Sequence, residues 1–137
     1  MSEIDDFLNK PLLARLATAD PEKLQPHVVP VWYGWDGQSL WISAFRSTRK
    51  VKELIKNPRC SIVIDVDDAS GGIRAVLMEG TVQLVTTPQK LLEENTTWVY
   101  TRYLGTKGVL ASDPQSWIKD PENLLIKLTP DFVKTWK

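Results

Sequence analysis

A hairpin signal around residue 36 constrains the fold of this chain more than any other feature. Residues Pro26 to Trp35 are rich in Val, Trp and Tyr, which are typical of strands. Asp36-Gly37 follows directly, and this dipeptide readily supplies the positive φ angles of a tight turn. Aliphatic side chains at positions 40, 42 and 44 then alternate with Trp41 and Ser43, as in a half-buried strand. The pattern therefore predicts two antiparallel strands joined at Asp36-Gly37.

Further apolar patterns predict more strands and a small number of helices. Additional strands are expected at Leu12 to Ala19, Cys60 to Val66, Arg74 to Val85 and Leu124 to Leu128, and Phe132 to Trp136 is expected to be either a closing strand or a final turn. Helices are expected at Ile4 to Lys10, at Thr48 to Lys56 with Ser47 as the N-cap, and from Pro88 through Tyr103. Irregular segments are expected at Asp67 to Gly72 and Leu104 to Asn123. Because most strands follow one another in hairpin order, the pattern favours an antiparallel barrel over a doubly wound sheet. We therefore expect a mainly β fold with α, namely a barrel of about six strands flanked by two to three helices. It forms one domain over residues 1–137.

Charge and targeting signals exclude several classes of partner. Lys plus Arg (17) equals Asp plus Glu (17), so no net field attracts nucleic acid or an anionic membrane. The first residues, Met1 to Asp6, lack the basic and apolar regions of a signal peptide. No apolar run approaches the roughly 18 residues that a membrane span requires. We therefore expect a cytoplasmic protein that binds neither nucleic acid nor membrane.

Few residues of the chain can serve metal or hydrolytic chemistry. Cys60 and His27 are the only cysteine and histidine, so the chain has no Cys or His pair for zinc or iron. Gly-x-Ser-x-Gly, Gly-x-Gly-x-x-Gly and Walker motifs are missing as well. The acids at positions 65, 67 and 68 precede a Gly-rich turn and are typical of a solvated loop. We expect no metal, and the patterns identify no catalytic residue.

The segment Ser47-Thr48-Arg49-Lys50 is the strongest candidate for a site. A helix is predicted to begin here, and the free N–H groups of a helix N-terminus favour an anion. Arg49 adds a fork suited to phosphate oxygens and Lys50 a mobile charge, although both cations oppose the helix dipole unless an anion is bound. Two interpretations stay open, a phosphate site and a solvated basic first turn.

Three of the six tryptophans, Trp32, Trp35 and Trp41, lie on the predicted hairpin. Packing in the core or at a dimer interface is one interpretation of these residues. Stacking on the ring of a cofactor is the other.

Beyond these patterns, the chain resembles the pyridoxamine 5'-phosphate oxidase-like family of flavin-binding split-barrel proteins over nearly its whole length. The resemblance depends on the order and spacing of several segments: Ala14 to Thr18, Pro26 to Trp32, Asp36-Gly37, Ser47 to Val51, Asn57 to Ser61, Met78 to Gly80, and Leu125 to Pro130 before Trp136. It implies a split β-barrel that forms a homodimer, with FMN in a groove between the subunits and a small-molecule substrate.

The resemblance also implies the residues of the cofactor site. By position, it implies that Arg49 and Lys50 bind the cofactor phosphate, together with Thr48 and Ser47 before them. It implies that His27, Val29, Pro30 and Val31 contact the ring edge and that Ile42 and Ser43 line the ribityl chain. Trp136 would form a wall near the dimer seam.

Three departures from the family pattern argue against pyridoxamine phosphate oxidation itself. The sequence ends at Lys137, without the Arg-x-His segment with which the oxidase binds its phosphorylated vitamin. Trp32 stands where the oxidase has a Lys for the substrate phosphate, and Ala75 stands where it has a Gln that contacts the flavin. We therefore expect an FMN-binding oxidoreductase other than the oxidase.

Two alternatives stand beside an FMN-dependent oxidoreductase. Tyr103-Leu104-Gly105 and Leu125 to Pro130 also resemble short members of this group that use a deazaflavin, coenzyme F-420, and the sequence does not separate the two cofactors. The second alternative is a module without turnover, such as a carrier of flavin or haem, a stress-related protein or a Trp-rich scaffold for protein partners. His27 is the one side chain that offers haem iron a histidine ligand.

Overall fold

The turn of the predicted hairpin lies at one edge of a curled antiparallel sheet, and most of its predicted first strand lies at the other edge. The computed structural model describes residues 2–67 and 70–137, and within them the chain forms eight strands and four helices. The strands are β1 (Ala14–Ala19), β2 (Pro26–Val31), β3 (Gly34–Trp35), β4 (Leu40–Phe45), β5 (Arg59–Asp65), β6 (Ala75–Val85), β7 (Asn123–Leu128) and β8 (Phe132–Trp136). The helices are α1 (Glu3–Leu8), α2 (Arg49–Lys56), α3 (Gln89–Gly108) and α4 (Ser112–Lys119).

The strands are hydrogen-bonded in the order β2-β1-β5-β6-β7-β4-β3, and β8 pairs with β6 beside this path. The first half of β6 pairs with β5 and β8, whereas its last residues, Val82 to Val85, pair with β7. Gly80 lies where β6 changes partners, and a Cβ there would be 2.9 Å from Leu128 Cδ1 and 3.1 Å from the Thr129 carbonyl oxygen. Because Gly80 has no side chain, the β7–β8 connection approaches the sheet closely at this point. The sheet curls around β6 into a half-barrel.

The tight turn at Asp36-Gly37 is confirmed, but only Gly34–Trp35 of the predicted first strand pairs with β4, whereas Pro26–Val31 pairs with β1. Gly37 has a φ of +97°, and the Asp36 carboxylate accepts the backbone N–H groups of Gln38 at 2.8 Å and Ser39 at 2.7 Å. The strand expected from Pro26 to Trp35 is nevertheless broken after Val31. The Tyr103 hydroxyl accepts the Tyr33 N–H at 3.1 Å, so a side chain of α3 replaces a strand partner there.

The helices agree with the sequence pattern in the first half of the chain and differ from it in the second. Helix α1, predicted from its apolar spacing at Ile4 to Lys10, spans Glu3–Leu8 and begins at a Ser2 capping box that the sequence analysis did not identify. The N-cap of α2 is Thr48 rather than the predicted Ser47. The segment from Leu104 to Asn123, predicted to be irregular, instead contains the end of α3, broken at Gly105, and all of α4. Pro114 obscures α4 in the sequence, but it lies in the first turn, where a missing N–H costs nothing. No helix in the described part of the chain is long and apolar enough to cross a membrane.

Two apolar clusters hold these elements together. The larger one fills the half-barrel and contains the fully buried side chains of Leu16, Ile42, Ile62, Met78 and Ile126, among others. The smaller one lies between the sheet and α3 and contains Trp41, Leu92, Val99 and Leu125. The core interpretation therefore holds for Trp35, which belongs to the larger cluster, and for Trp41.

The architecture confirms the predicted mainly β split barrel with helices. It has eight strands instead of about six, because the strand predicted from Pro26 to Trp35 is divided into β2 and β3 and the segment Phe132–Trp136 is a strand rather than a final turn. It has four helices instead of two to three. Within the predicted loop from Asp67 to Gly72, Asp68 and Ala69 lie outside the described residues.

Candidate ligand-binding site

A cavity of about 450 Å³ opens beside the edge strand β2. Its walls come from β2, β4 and the helices α2, α3 and α4. The lining residues are Leu13, Pro30, Val31, Trp32, Ser43, Phe45, Lys50, Tyr100 and Trp117. The volume lies within the range of small-molecule and cofactor sites, about 300–1,000 Å³.

Lys50 brings the one formal charge to this lining. It lies in the first turn of α2 and is half-buried, and this burial lowers the pKa of its ammonium group. Among the described residues that line the cavity there is no carboxylate to balance it. An anion placed here would compensate the charge that burial makes unfavourable.

Arg49 does not enter this cavity, although it precedes Lys50 in the chain. Its Nε donates to Glu53 Oε2 at 3.1 Å, and its side chain lines a second cleft of about 610 Å³ with Lys23, Lys52 and Lys56. Glu53 is buried and also accepts the Thr18 hydroxyl at 2.7 Å. Successive helical residues point about 100° apart, so the predicted pair is divided between two sides of α2.

The two hydroxyl residues before Arg49 are engaged by the backbone and by neighbouring groups. The Thr48 hydroxyl donates to the Phe45 carbonyl at 2.7 Å, and the Ser47 N–H donates to Glu122 Oε1 at 3.0 Å. Neither side chain caps α2, and neither lines the cavity. The N-terminus of α2 therefore has no side-chain cap.

Strand β2 contributes Pro30 and Val31 to the cavity but turns two other predicted residues away from it. Within the sheet β2 pairs only with β1, so its other backbone edge has no strand partner in the described chain. Val29 packs against the main core, and His27 is half-buried on the same side as Val29, where its charge helps to lower the pKa of Glu53. These two side chains lie outside the cavity, so only the backbone groups of His27 and Val29 remain for the predicted contact with a cofactor ring.

The neighbouring residues Ser43 and Ile42 are separated by the alternation of β4. Ile42 is fully buried in the main core, so its side chain does not reach the cavity. Ser43 lines the cavity, and its hydroxyl donates to Asn123 Oδ1 at 2.7 Å. Of the residues predicted for the site, the structure brings together Pro30, Val31, Ser43 and Lys50.

An aromatic wall, of which the sequence analysis singled out only Trp32, completes the cavity. Trp32 stacks on Tyr103 with 4.7 Å between ring centroids and meets Tyr100 edge-on at 5.8 Å. Trp117 meets Tyr100 edge-on at 6.0 Å. The three-residue spacing of Tyr100 and Tyr103 within a helix could have indicated a shared face, whereas Trp117 lies in the segment expected to be irregular.

Trp136 lies on the outer face of the sheet, away from the cavity of its own chain. Its ring is 41% exposed beside Arg15, Val63 and Ala75, with Lys134 Nζ 5.0 Å from the ring centroid. The Trp136 side chain therefore does not form a wall of the cavity in its own chain.

The side chains that commonly bind metal ions are scattered over the described part of the chain. Within residues 2–67 and 70–137, no group of three or more His, Cys, Asp or Glu side chains is arranged to hold a metal ion. Burial raises the pKa of the Cys60 thiol to about 11, which disfavours the thiolate that a metal or an electrophile requires.

Comparisons with solved structures identify proteins of the same fold. The conserved hypothetical protein Rv2991 from Mycobacterium tuberculosis superposes with a TM-score of 0.79 at 26% identity, covering 100% of this chain and 85% of that one. An F-420 reductase gives a TM-score of 0.73 at 23% identity, with 95% and 94% covered. The haem storage protein HutZ from Vibrio cholerae gives 0.75 at 17% identity, with 97% and 92% covered.

Sequence comparison defines the family. No curated protein sequence matches the chain significantly. The family model described as pyridoxamine 5'-phosphate oxidase matches residues 1–137, which is the whole chain. This chain therefore belongs to the pyridoxamine 5'-phosphate oxidase family.

Proposed function

We propose that the protein is a cytoplasmic oxidoreductase that binds FMN, or the deazaflavin coenzyme F-420, in the cavity beside β2 and acts on a small molecule. One observation carries this proposal. The half-buried ammonium of Lys50 lies in an otherwise uncharged lining, and a cofactor phosphate would supply the missing anion. The chain's membership of the pyridoxamine 5'-phosphate oxidase family supports the same class of cofactor.

The remaining walls suit a planar ring. Pro30 and Val31 belong to an edge strand whose free backbone groups can bond to polar ring atoms, and Trp32 and Tyr100 offer aromatic surface. When bound, a flavin-type cofactor supplies hydride or electron chemistry. The protein's own part is to hold the phosphate with Lys50, to orient the ring along β2 and to exclude water.

FMN and the deazaflavin would be bound by these residues in the same way. The family membership supports FMN, and the F-420 reductase of the same fold supports the deazaflavin. Both cofactors carry a phosphate next to a flexible chain, which suits Ser43 and Lys50 equally. Direct titration separates them.

A homodimer is the second part of the proposal. Directly paired residues point to the same face of a sheet, so Pro30, Arg15, Val63 and Leu77 share the outer face. This face also exposes Val28 (63%), Phe132 (47%) and Trp136 (41%), and burying such a surface favours association. Pro30 belongs both to this face and to the cavity, so a second copy seated here would border the cofactor and bring its own Trp136 close.

Haem binding is a weaker candidate. The haem storage protein HutZ shares the fold, but at 17% sequence identity none of its site residues can be transferred to this chain. His27 points toward α2 and Glu53 rather than into the cavity. A haem site would need a different iron ligand or a different location.

Spectroscopic titration tests the cofactor. Purified protein is mixed separately with FMN, the deazaflavin and haem, and absorbance and fluorescence are followed. Charge-assisted bonds contribute about 1.5–3 kcal/mol, so Lys50→Gln should weaken binding by about 10–100-fold. Arg49→Gln is the matched control, because Arg49 faces the other cleft, and its effect should stay below about threefold. A failure of both cofactors to bind, or equal losses in the two variants, would reject this site.

Sedimentation equilibrium tests the dimer. We expect a dimer at micromolar concentration, and Trp136→Glu should dissociate it by placing a charge within the outer face. Leu110→Glu is the control, because Leu110 is 70% exposed at the α3–α4 junction, outside this face. A wild-type protein that sediments as a monomer near micromolar concentration would overturn this part of the proposal.

A further inference from the structure

The cleft on the other side of α2 is built from charged and polar side chains. It measures about 610 Å³, and its lining residues are Asp20, Lys23, Gln25, Ser47, Arg49, Lys52, Glu53 and Lys56. None of these residues lines the cavity beside β2, whose walls are mainly aromatic and aliphatic. The cleft and the cavity therefore lie on two sides of one helix and differ in chemistry.

A buried carboxylate fixes one wall of this cleft. Asp20 is 6% exposed, and its Oδ1 accepts the backbone N–H groups of Glu22 at 2.9 Å and of Lys23 at 3.2 Å. These two N–H groups lower the pKa of Asp20, so the carboxylate stays ionised at neutral pH. Lys56 Nζ donates to its other oxygen, Oδ2, at 3.2 Å. Asp20 thus holds both the turn that carries Lys23 and one cation of α2.

The positive charges of the cleft outnumber its negative charges. Glu53, the second buried carboxylate, pairs with Arg49 as Asp20 pairs with Lys56. The other two cations, Lys23 and Lys52, form no ion pair within the part of the chain that the structure describes. Two positive charges are therefore left without a balancing carboxylate.

These two lysines approach the cleft from different elements. Lys23 lies in the β1–β2 connection, where the Leu24 N–H donates to the Asp20 carbonyl at 3.0 Å, and Lys52 lies on α2. Cations that line a concave surface from two sides concentrate their potential within it. An anion bound there would contact both ammonium groups at once.

The composition of the lining restricts the kind of anion. Among the described residues of the cleft there is no aromatic or aliphatic side chain against which a ring could pack. Lysine ammoniums are compact charges that bind phosphate and carboxylate oxygens without the planar fork of a guanidinium. A ligand that balances Lys23 and Lys52 needs at least two negative charges.

From this arrangement we infer that the cleft is a second ligand-binding site, which takes a compact, non-aromatic oxyanion with two or more negative charges, such as an oligophosphate or a polycarboxylate. Lys23 and Lys52 bind this anion directly, whereas Asp20 and Glu53 hold the neighbouring cations in place. The inference goes beyond the proposed cofactor, since no residue of this cleft lines the cavity beside β2.

Calorimetric titration of the full chain at low ionic strength tests the inference with inorganic triphosphate, citrate and orthophosphate. We expect triphosphate or citrate to bind at least about tenfold more tightly than orthophosphate, because several charges of one molecule then bind cations of one cleft. The tighter of the two identifies the phosphate or the carboxylate form of the ligand. A failure of both to bind, or equal binding of orthophosphate, would overturn the inference.

Adenosine triphosphate tests the non-aromatic character of the site. It should bind no more than about twofold more tightly than inorganic triphosphate, because the cleft offers its base no aromatic wall. A much larger gain would show that the ligand is a nucleotide and would contradict this part of the inference.

Two variants and one control locate the anion. Lys23→Gln and Lys52→Gln should each weaken triphosphate binding about 3–10-fold, because each removes one charge-assisted contact in a partly exposed cleft. Lys90→Gln is the matched control, because its side chain is 85% exposed on α3 and does not line the cleft. Its effect should stay below about twofold. An equal loss in Lys52→Gln and Lys90→Gln would indicate attraction by surface charge in general and would reject the site.

Competition with the cofactor separates this inference from the proposed function. Triphosphate should bind to protein saturated with FMN or the deazaflavin as it does to the free protein, with the same loss in Lys52→Gln. If a cofactor binds and abolishes triphosphate binding, the cleft belongs to the cofactor site and the inference is wrong. If triphosphate binds with the expected response to Lys52→Gln and neither cofactor binds, the anion site stands and the redox function is wrong.

Discussion

Arg102 on α3 connects segments that support the cavity beside β2. Its Nε donates to the Tyr33 carbonyl at 2.9 Å and its Nη2 to the Lys10 carbonyl at 3.0 Å. Two longer bonds, at 3.2 and 3.3 Å, reach carbonyl oxygens at the end of α1. The guanidinium also lies 5.1 Å from the ring centroid of Tyr33 and 5.8 Å from that of Tyr103. Since Tyr33 follows Trp32 in the chain, these contacts hold one wall of the cavity.

Arg102→Met keeps most of the side-chain stem and removes these polar contacts. Buried hydrogen bonds to a charged group contribute about 1.5–3 kcal/mol each, but this guanidinium is half-exposed, so we take about 1 kcal/mol for each of the two short bonds. The two ring contacts add about 1 kcal/mol together. The expected loss in the free energy of unfolding is therefore about 3 kcal/mol, which corresponds to a decrease in Tm of about 10 °C for a chain of this size.

Urea and thermal unfolding, followed by circular dichroism, measure this loss. Arg102→Lys should give an intermediate value, because an ammonium keeps the charge but cannot reach several carbonyls with a planar fork. Lys107→Met on the same helix removes an exposed charge and should change the Tm by less than about 2 °C. A decrease of less than about 3 °C for Arg102→Met, with an unchanged m-value, would refute the reasoning.

Three further predictions concern packing, pH and backbone strain. Gly34→Ala should cost about 1–3 kcal/mol in urea unfolding, because a Cβ there would be 2.5 Å from the Trp98 ring, and a change under about 0.5 kcal/mol would contradict this contact. The Thr18 hydroxyl, and to a smaller extent Arg49, lower the pKa of Glu53 below its ordinary 4.5. The ionised carboxylate therefore stabilises the folded state above about pH 4.5, and this contribution is lost as the pH falls through the lower pKa of the folded state. The stability difference between wild type and Glu53→Gln should therefore be largest near pH 7 and shrink toward pH 3, whereas a constant difference would contradict the assignment. Leu24 is 75% exposed with a φ of +59°, so Leu24→Asn should raise stability by about 0.5–1 kcal/mol while Leu24→Ala should not, and equal effects of the two changes would argue against strain.

Features of the fold that depend on local pattern were predictable from the sequence. Alternation of side chains identified the strand from Cys60 to Val66, observed as β5, and Asp36-Gly37 identified the hairpin, because turn geometry depends on the residues in the turn itself. The break between β2 and β3 was not predictable. It results from a hydrogen bond between Tyr33 and Tyr103, which are far apart in the chain.

In the candidate site, too, some features were predictable from the sequence and others were not. The basic start of α2 was identified from Arg49 and Lys50, since a cation in the first turn of a helix is a local anomaly. Which of the two enters the cavity depends on how α2 packs, and only Lys50 does. The aromatic wall brings together Trp32, Tyr100 and Trp117 from three separate parts of the chain, and no spacing in the sequence predicts that these three rings are in contact.

The sequence by itself determined the class of fold, the resemblance to the family and the basic segment at the start of α2. The class of fold and the basic segment follow from periodicity and turn residues, which act over a few neighbouring positions, whereas the family follows from a resemblance in the order of motifs over nearly the whole chain. Only the tertiary structure decided that Arg49 pairs with buried Glu53, that Lys50 enters an uncharged cavity, and that Trp136 lies on the outer face. The physical reason is that burial and pairing depend on the packing of elements that are distant in the chain, and packing sets both the charge balance and the shape of a site.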